Sequence, residues 1–161
     1  MSDKKIIERI KKQYATVVID SHDFRDDQTV TVKKNCGEDF FKFLRDDSEL
    51  AFNFLMDITA VDYLSKKDER FEVVYHLYSL KHNHRLRIKI PVSAEDCNAD
   101  SITALWKTAN WYEREIWDMY GIKFRNHPNL RRILLYEEFK GHPLRKDYPI
   151  NKRQPLIGPL N

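Results

Sequence analysis

The stretch RFEVVYHLYSLKHNHRLRIKIPV, Arg70 to Val92, decides the fold. Its second half alternates: Leu86, Ile88, Ile90 and Val92 are apolar, and Arg85, Arg87 and Lys89 between them are charged. Period-two alternation places one set of side chains in a core and the other in water, the mark of a half-buried strand. The first half, RFEVVYHLYSL, is rich in β-branched and aromatic residues. Those side chains suit a strand. KHN between the halves reads as a turn, so the whole is a β-hairpin.

Upstream, AFNFLMDITAVDYL (51–64) reads as another strand, with Phe52, Phe54, Met56, Ile58 and Ala60 alternating. GEDFFKFLRDD predicts an amphipathic helix that turns Phe40, Phe41 and Leu44 inward, and DKKIIERIKKQY predicts another through Ile6, Ile7 and Ile10. TVVI (16–19) and TVTV (29–32) are short strands joined by the polar turn DSHDFRDDQ. The order α-β-β-α-β-β-β, with hairpin-paired strands and helices free to cover one face, predicts an α+β fold, a two-layer α/β sandwich. EDCNADSIT reads as a loop into a helix starting near Ser101. The periodicity fades after about residue 121, and Pro143, Pro149, Pro155 and Pro159 crowd the last 19 residues. Such a segment forms few helices or central strands. It reads as an extended tail that makes best sense lying on a partner.

The 161 residues are enough for one domain with its own core. No apolar run approaches the ~20 residues of a membrane helix, and the start lacks a signal core and is a poor transit peptide. Cys36 and Cys97 have no CxxC partner and read as two reduced thiols. An iron–sulfur cluster typically takes four thiolates. From Lys123 onward nine Lys/Arg face three Asp/Glu, so an acidic body carries a basic tail. That asymmetry points to an anionic partner.

On a helical wheel of WYEREIWDMY, Met119, Tyr112, Ile116, Tyr120 and Trp117 share an arc of roughly 160°. Arg114, Glu115, Asp118 and Trp111 lie opposite, and Gly121 stands where a helix C-terminus needs positive φ. Glu113 falls inside the apolar arc. A buried, unpaired carboxylate there is costly. It can reach water at the edge of the arc, pair with a cation such as Arg131 or Arg132, or act as a general acid of raised pKa.

The four glycines allow neither GxGxxG nor a P-loop, and GxSxG and HExxH are absent. His76, His82 and His84 lie on one hairpin without an acid or thiolate at ligand spacing. His127 and His142 each precede a proline and suit capping better than catalysis. The basic pairs in the tail are interleaved with Glu137, Glu138 and Asp147, a thin stripe for nucleic-acid phosphates.

EREIWDMYGIKFRNHPNLRRIL and, downstream, GHPLRKDYP resemble the signature of the 30-kilodalton subunit family of respiratory complex I, the C subunit of the bacterial NADH-quinone oxidoreductases. YHLYS and LRIKIPV extend the resemblance upstream, and Tyr120 departs slightly from the family's usual Phe or Leu. The resemblance implies a mixed five-stranded sheet in residues 1–122, signature helix included, and a basic tail over 123–161 that docks on a neighbouring subunit. It implies a non-redox structural subunit of the peripheral arm that binds no cofactor itself, within a complex using NADH, FMN, iron–sulfur centres and quinone. The expected partners are the 49-kilodalton subunit (the D subunit) and other peripheral-arm subunits including the B subunit. No nucleic acid is expected, and membrane contact only through the complex, at the cytoplasmic face of a bacterial inner membrane. A docking subunit of a related membrane-bound hydrogenase is the alternative. A free acid–base enzyme using Glu113 or His127, or a nucleic-acid-binding module, stand behind it. The residues carried over are Glu113, Arg114, Glu115, Asp118, Gly121, His127, Pro128, Arg131, Arg132, Gly141, His142, Pro143, Arg145, Lys146 and Asp147. The acids among them are expected to pair with Arg131, Arg132, Arg145 or partner residues.

Overall fold

In the computed structural model, which describes residues 3–155, helix α1 (Asp3–Tyr14) precedes strands β1 (Val18–Phe24) and β2 (Asp27–Val32). Helix α2 (Gly37–Asp46) leads to β3 (Phe54–Asp62), β4 (Phe71–Ser79) and β5 (His84–Val92). A short strand β6 (Asn98–Asp100), helix α3 (Ala109–Tyr120) and strand β7 (Lys123–Arg125) follow. The end of the basic tail, 156–161, lies outside the described residues.

The five-stranded sheet has the order β1-β2-β5-β4-β3. It is mixed because β2 and β5 run parallel, Val30 beside Ile88, while the other pairs are antiparallel. The hairpin is as its alternation predicts: Leu86, Ile88, Ile90 and Val92 are buried, and Asn83 closes the turn at φ 55° with its N–H on Ser79. The core joins Val73, Tyr75 and Leu77 of the sheet to Ile6 and Ile10 of α1 and to Phe40, Phe41 and Leu44 of α2. Phe41 meets Tyr75 at 4.9 Å between ring centroids.

Four expectations change. EDCNADSIT, read as a loop, contains strand β6 over Asn98–Asp100. The polar stretch read as a turn is mostly strand: β1 and β2 continue to a tight turn at Arg25 and Asp26, whose φ values of 54° and 65° suit a twisted hairpin. In β3 the register shifts between Leu55 and Asp57, so Leu55 is buried while Phe54 and Met56 face outward. An extra residue in a ladder inverts the faces on one side of it. Helix α3 begins at Ala109 rather than near Ser101. The Ser101 and Thr103 hydroxyls bond each other at 2.8 Å, and Ser101 Oγ accepts the Thr103 N–H. Side chains that serve local backbone groups compete with helix formation. The intervening Ile102 and Trp106 are core residues.

The division at residue 122 falls just before β7, which pairs in parallel with β6, Ala99 beside Phe124. Beyond β7 the described chain forms no further helix or strand.

Candidate functional site: the α3 corner and its tail clasp

Helix α3 packs on the sheet along β3, where the Tyr112 hydroxyl donates to the Met56 carbonyl at 3.0 Å. Gly121 ends it in the left-handed region, φ 77°, with its N–H on the Trp117 carbonyl. The last carbonyls of a helix lack internal partners. Here the GHPLR segment supplies them. His142 Nδ1 donates to Asp118 O at 3.0 Å, Leu144 N to Met119 O at 3.1 Å, and Arg145 Nε to Tyr120 O. A Cβ on Gly121 would lie 2.6 Å from both the Arg145 guanidinium and the His142 ring.

The Asp118 side chain gathers four donors from the tail. One carboxylate oxygen accepts Arg132 Nη1 at 2.6 Å, and the other accepts the N–H groups of Ile133, Leu134 and Leu135 at 3.1, 2.9 and 2.9 Å. Arg132 also reaches the carbonyls of Phe139 and Gly141, at 2.6 and 3.4 Å, and its guanidinium lies 5.7 Å from the Trp117 and Phe139 ring centroids. Burial alone would push the Asp118 carboxyl up. The Leu135 amide, Arg132 and the other two amides outweigh it and hold the group below its ordinary value. Arg114, one helical turn earlier, donates to the carbonyls of Arg131 and Arg132 at 3.1 and 2.8 Å.

A second clasp joins the tail to the sheet. Buried Asp62, at the end of β3, accepts Arg70 through two bonds of 3.0 and 2.8 Å, the Leu64 N–H at 2.9 Å and the Lys146 N–H at 2.8 Å. Arg70 also holds Asp147 through bonds of 3.0 and 2.7 Å. Neither Asp62 nor Arg70 stood out in the sequence, although a signal was present. Asp62 has the parity of Ile58 and Ala60, a carboxylate on the inward face. The Asp62–Arg70 pair is enclosed, whereas the Asp147 side chain is half exposed. Asp147→Asn is therefore expected to cost less than about 1 kcal/mol in urea unfolding, the scale of an exposed pair.

The expected pairing of Glu113 with an arginine is not what forms. Glu113 is wholly buried, and Oε1 accepts the Ile102 N–H at 2.8 Å. Oε2 has no hydrogen-bond partner among the described residues, and neither has the buried hydroxyl of Tyr75. Arg132 is taken by Asp118 and Arg131 is exposed, and among the described residues Glu113 forms no ion pair. Burial pushes the Glu113 carboxyl up to about 7, partly offset by the Ile102 amide and the Ser101 hydroxyl. Asp118, read as lying on the wet side, is fully buried because the tail covers it. Arg145 meets a carbonyl rather than an acid. Glu115 stays exposed with no ion pair among the described residues.

Glu113 sets a pH prediction. Folded, it holds its proton to about pH 7, against an ordinary value of 4.5. Between these values the folded chain binds more protons than the unfolded one. Its contribution to stability therefore falls as pH rises through that window and levels off above it. The loss is ~3 kcal/mol. His127 and His142 are pushed below their ordinary value, mainly by burial, and act in the opposite sense. The informative comparison is thus between wild type and Glu113→Gln at each pH. Glu113→Gln is expected to gain stability relative to wild type between about pH 5 and about pH 8 in urea titrations. An unchanged difference would remove the buried carboxylate from the account.

His127 accepts the Asn129 N–H on Nδ1 at 3.0 Å and so donates from Nε2 to the Asn110 carbonyl at 3.1 Å. It ties the turn after β7 to the first turn of α3. Gly141 lies in the left-handed region, φ 105°, and a Cβ there would come within 2.9 Å of the Tyr148 ring. Farther on, Gln154 bridges both backbone groups of Lys140 at 2.9 Å. His82 and His84 hold the carbonyls of Ser48 and Leu50. Cys36 and Cys97 are free thiols. Among the described residues no cluster of His, Cys, Asp and Glu is disposed to hold a metal ion, and no helix is long and apolar enough to cross a membrane.

Fold and corner together define a class: a two-layer α+β domain whose last long helix is locked to its own C-terminal segment. The particular family follows from comparison. The sequence pattern of the family described as "Respiratory-chain NADH dehydrogenase, 30 Kd subunit" matches residues 30–154. The chain belongs to this family. It is 48% identical to the C subunit of the NADH-quinone oxidoreductase of Citrifermentans bemidjiense, over 99% of this chain and 98% of that one. The corresponding C subunit of Geobacter sulfurreducens is 44% identical, over 95% and 94%. Among solved structures, a trypsin-resistant fragment of Nqo5 matches with a TM-score of 0.69 at 30% identity, covering 81% of this chain and all of the fragment. A chain of an archaeal membrane-bound sulfane sulfur reductase shares the fold, with a TM-score of 0.78 at 19% identity over 94% of this chain and 88% of that one.

Proposed function

We propose that this chain is the C subunit of an NADH-quinone oxidoreductase, a non-redox docking subunit of the peripheral arm. In this reading the complex moves electrons from NADH through FMN and iron–sulfur centres to quinone and pumps protons. The chain sits on the 49-kilodalton subunit, with the B subunit nearby, at the cytoplasmic face of a bacterial inner membrane. Its family membership and near full-length relatives support the assignment. The observation that carries the docking role is the Asp118 clasp. Four donors converge on one buried carboxylate and fix how the basic segment 131–148 is presented. Arg131, Lys140 and Lys146 then offer their charges from a fixed backbone, the arrangement a partner reads with little ordering cost.

The acid–base reading has less behind it, since Glu113 has no surface from which to meet a substrate. The expected result is that membranes lacking this chain lose NADH:quinone reductase activity and regain it when the gene is restored, while the purified chain is inert alone. Full activity in membranes without the chain contradicts the proposal.

A further inference from the structure

The three tryptophans behave differently. Trp106 is 6% exposed and Trp117 is half-buried under Arg132, but Trp111 is 68% exposed on the outer side of α3. Two shallow clefts of about 550 and 460 Å3 flank its ring. One lies between α3 and the turn at Asn126 and Pro128, and the other runs along Thr108 and Tyr112. The first is pre-shaped: Asn126 holds the left-handed region, φ 63°, and His127 ties that turn to Asn110. Lys107 lines both clefts and is exposed, and its side-chain ammonium has no hydrogen bond or ion pair among the described residues. No acidic residue lines either cleft.

An exposed ring beside a pre-shaped cleft is the form of an interface anchor. The unopposed cation beside it selects the partner's charge. We infer that Trp111 anchors a protein partner, inserting between apolar side chains of a partner segment that carries a carboxylate for Lys107. The inference rests on the docking reading and gives this surface a role apart from the tail.

The test uses the complex assembled in membranes, with a photoreactive benzophenone amino acid at position 111 and, as control, at Phe24, exposed in the β1–β2 hairpin. Position 111 is expected to crosslink to one protein subunit, in a peptide with an acidic residue within a few positions, while position 24 does not crosslink to that peptide. Lys107→Glu is expected to lower that yield about 10-fold, with the chain still present in the complex. A complex that contains the chain but gives no crosslink at 111, a lipid adduct only, or a peptide without a carboxylate overturns this inference and leaves the docking reading standing. A complex isolated without the chain overturns both.

Discussion

Asp118→Ala is expected to release the tail from the helix. The change removes the acceptor of Arg132 and of the Ile133, Leu134 and Leu135 amides at one stroke. Breaking a buried ion pair on one side costs ~3–5 kcal/mol because the remaining charge is left unpaired. The unpaired amides add to it. The tail has a cheaper response than global unfolding, since it can lift into water where those donors are solvated. Hydrogen exchange should therefore register the change locally. The amides of residues 133–135 are expected to exchange at least ~100-fold faster than in wild type, while those of β4 and β5 change little. Asp118→Asn keeps an acceptor for the amides but turns a donor toward Arg132, so an intermediate effect is expected. Unchanged protection of residues 133–135 in Asp118→Ala would remove the clasp from the account. The clasp is also acid-sensitive. The Asp118 and Asp62 carboxyls are held below their ordinary values against burial, which alone would raise them, by their guanidinium and amide partners. Their stabilisation is present above about pH 4 and is lost as pH falls through the depressed values.

Gly121→Val is expected to be comparably damaging for a different reason. The position needs φ 77°, which costs an L-residue roughly 1–2 kcal/mol and a β-branched one more. The added Cβ also arrives 2.6 Å from Arg145 and His142, the groups that satisfy Tyr120 O and Asp118 O. Either the helix end unwinds or the GHPLR segment is pushed off its carbonyls. The combined loss is on the order of 3–5 kcal/mol, read as a lowered urea midpoint with an unchanged slope. Gly121→Ala should fall between the two, and a wild-type midpoint in both variants would show that the close approach at Gly121 is unimportant.

Where local pattern and burial agree, the chain is legible. The β4–β5 hairpin, α2 and the single glycine ending α3 follow from alternation, helical spacing and conformational freedom. The start of β1 is legible in TVVI, but its continuation is not: β1 is a sheet edge with mostly wet side chains, so no apolar period marks DSHDF as strand. In β3 the alternation holds for Ile58 and Ala60 but puts Phe54 and Met56 on the wrong face, because a bulge leaves no trace in an apolar run. The corner misled for a longer-range reason. A helical wheel knows only its own helix, and Asp118 is on the wet side until residues 132–135 close over it. The same wheel made Glu113 a candidate for arginine, yet its partner is the Ile102 backbone, eleven positions earlier in a segment expected to be helical. The arginines and acids of the signature do meet, with Arg132 on Asp118, but the pairing could not be assigned from spacing alone.

The central claim is that a tail locked by Asp118 is what the chain offers its partner. The direct measurement is the amount of 49-kilodalton subunit that co-purifies, per tagged copy of this chain, from membranes expressing wild type, Glu8→Ala or Asp118→Ala. Glu8 is exposed on α1 and lies outside the clasp, so wild type and Glu8→Ala are predicted to give the same ratio. Asp118→Ala is predicted to lower it at least ~10-fold, which corresponds to ~1.4 kcal/mol or more of lost binding. An undiminished ratio in Asp118→Ala, with exchange showing residues 133–135 released, would contradict the account.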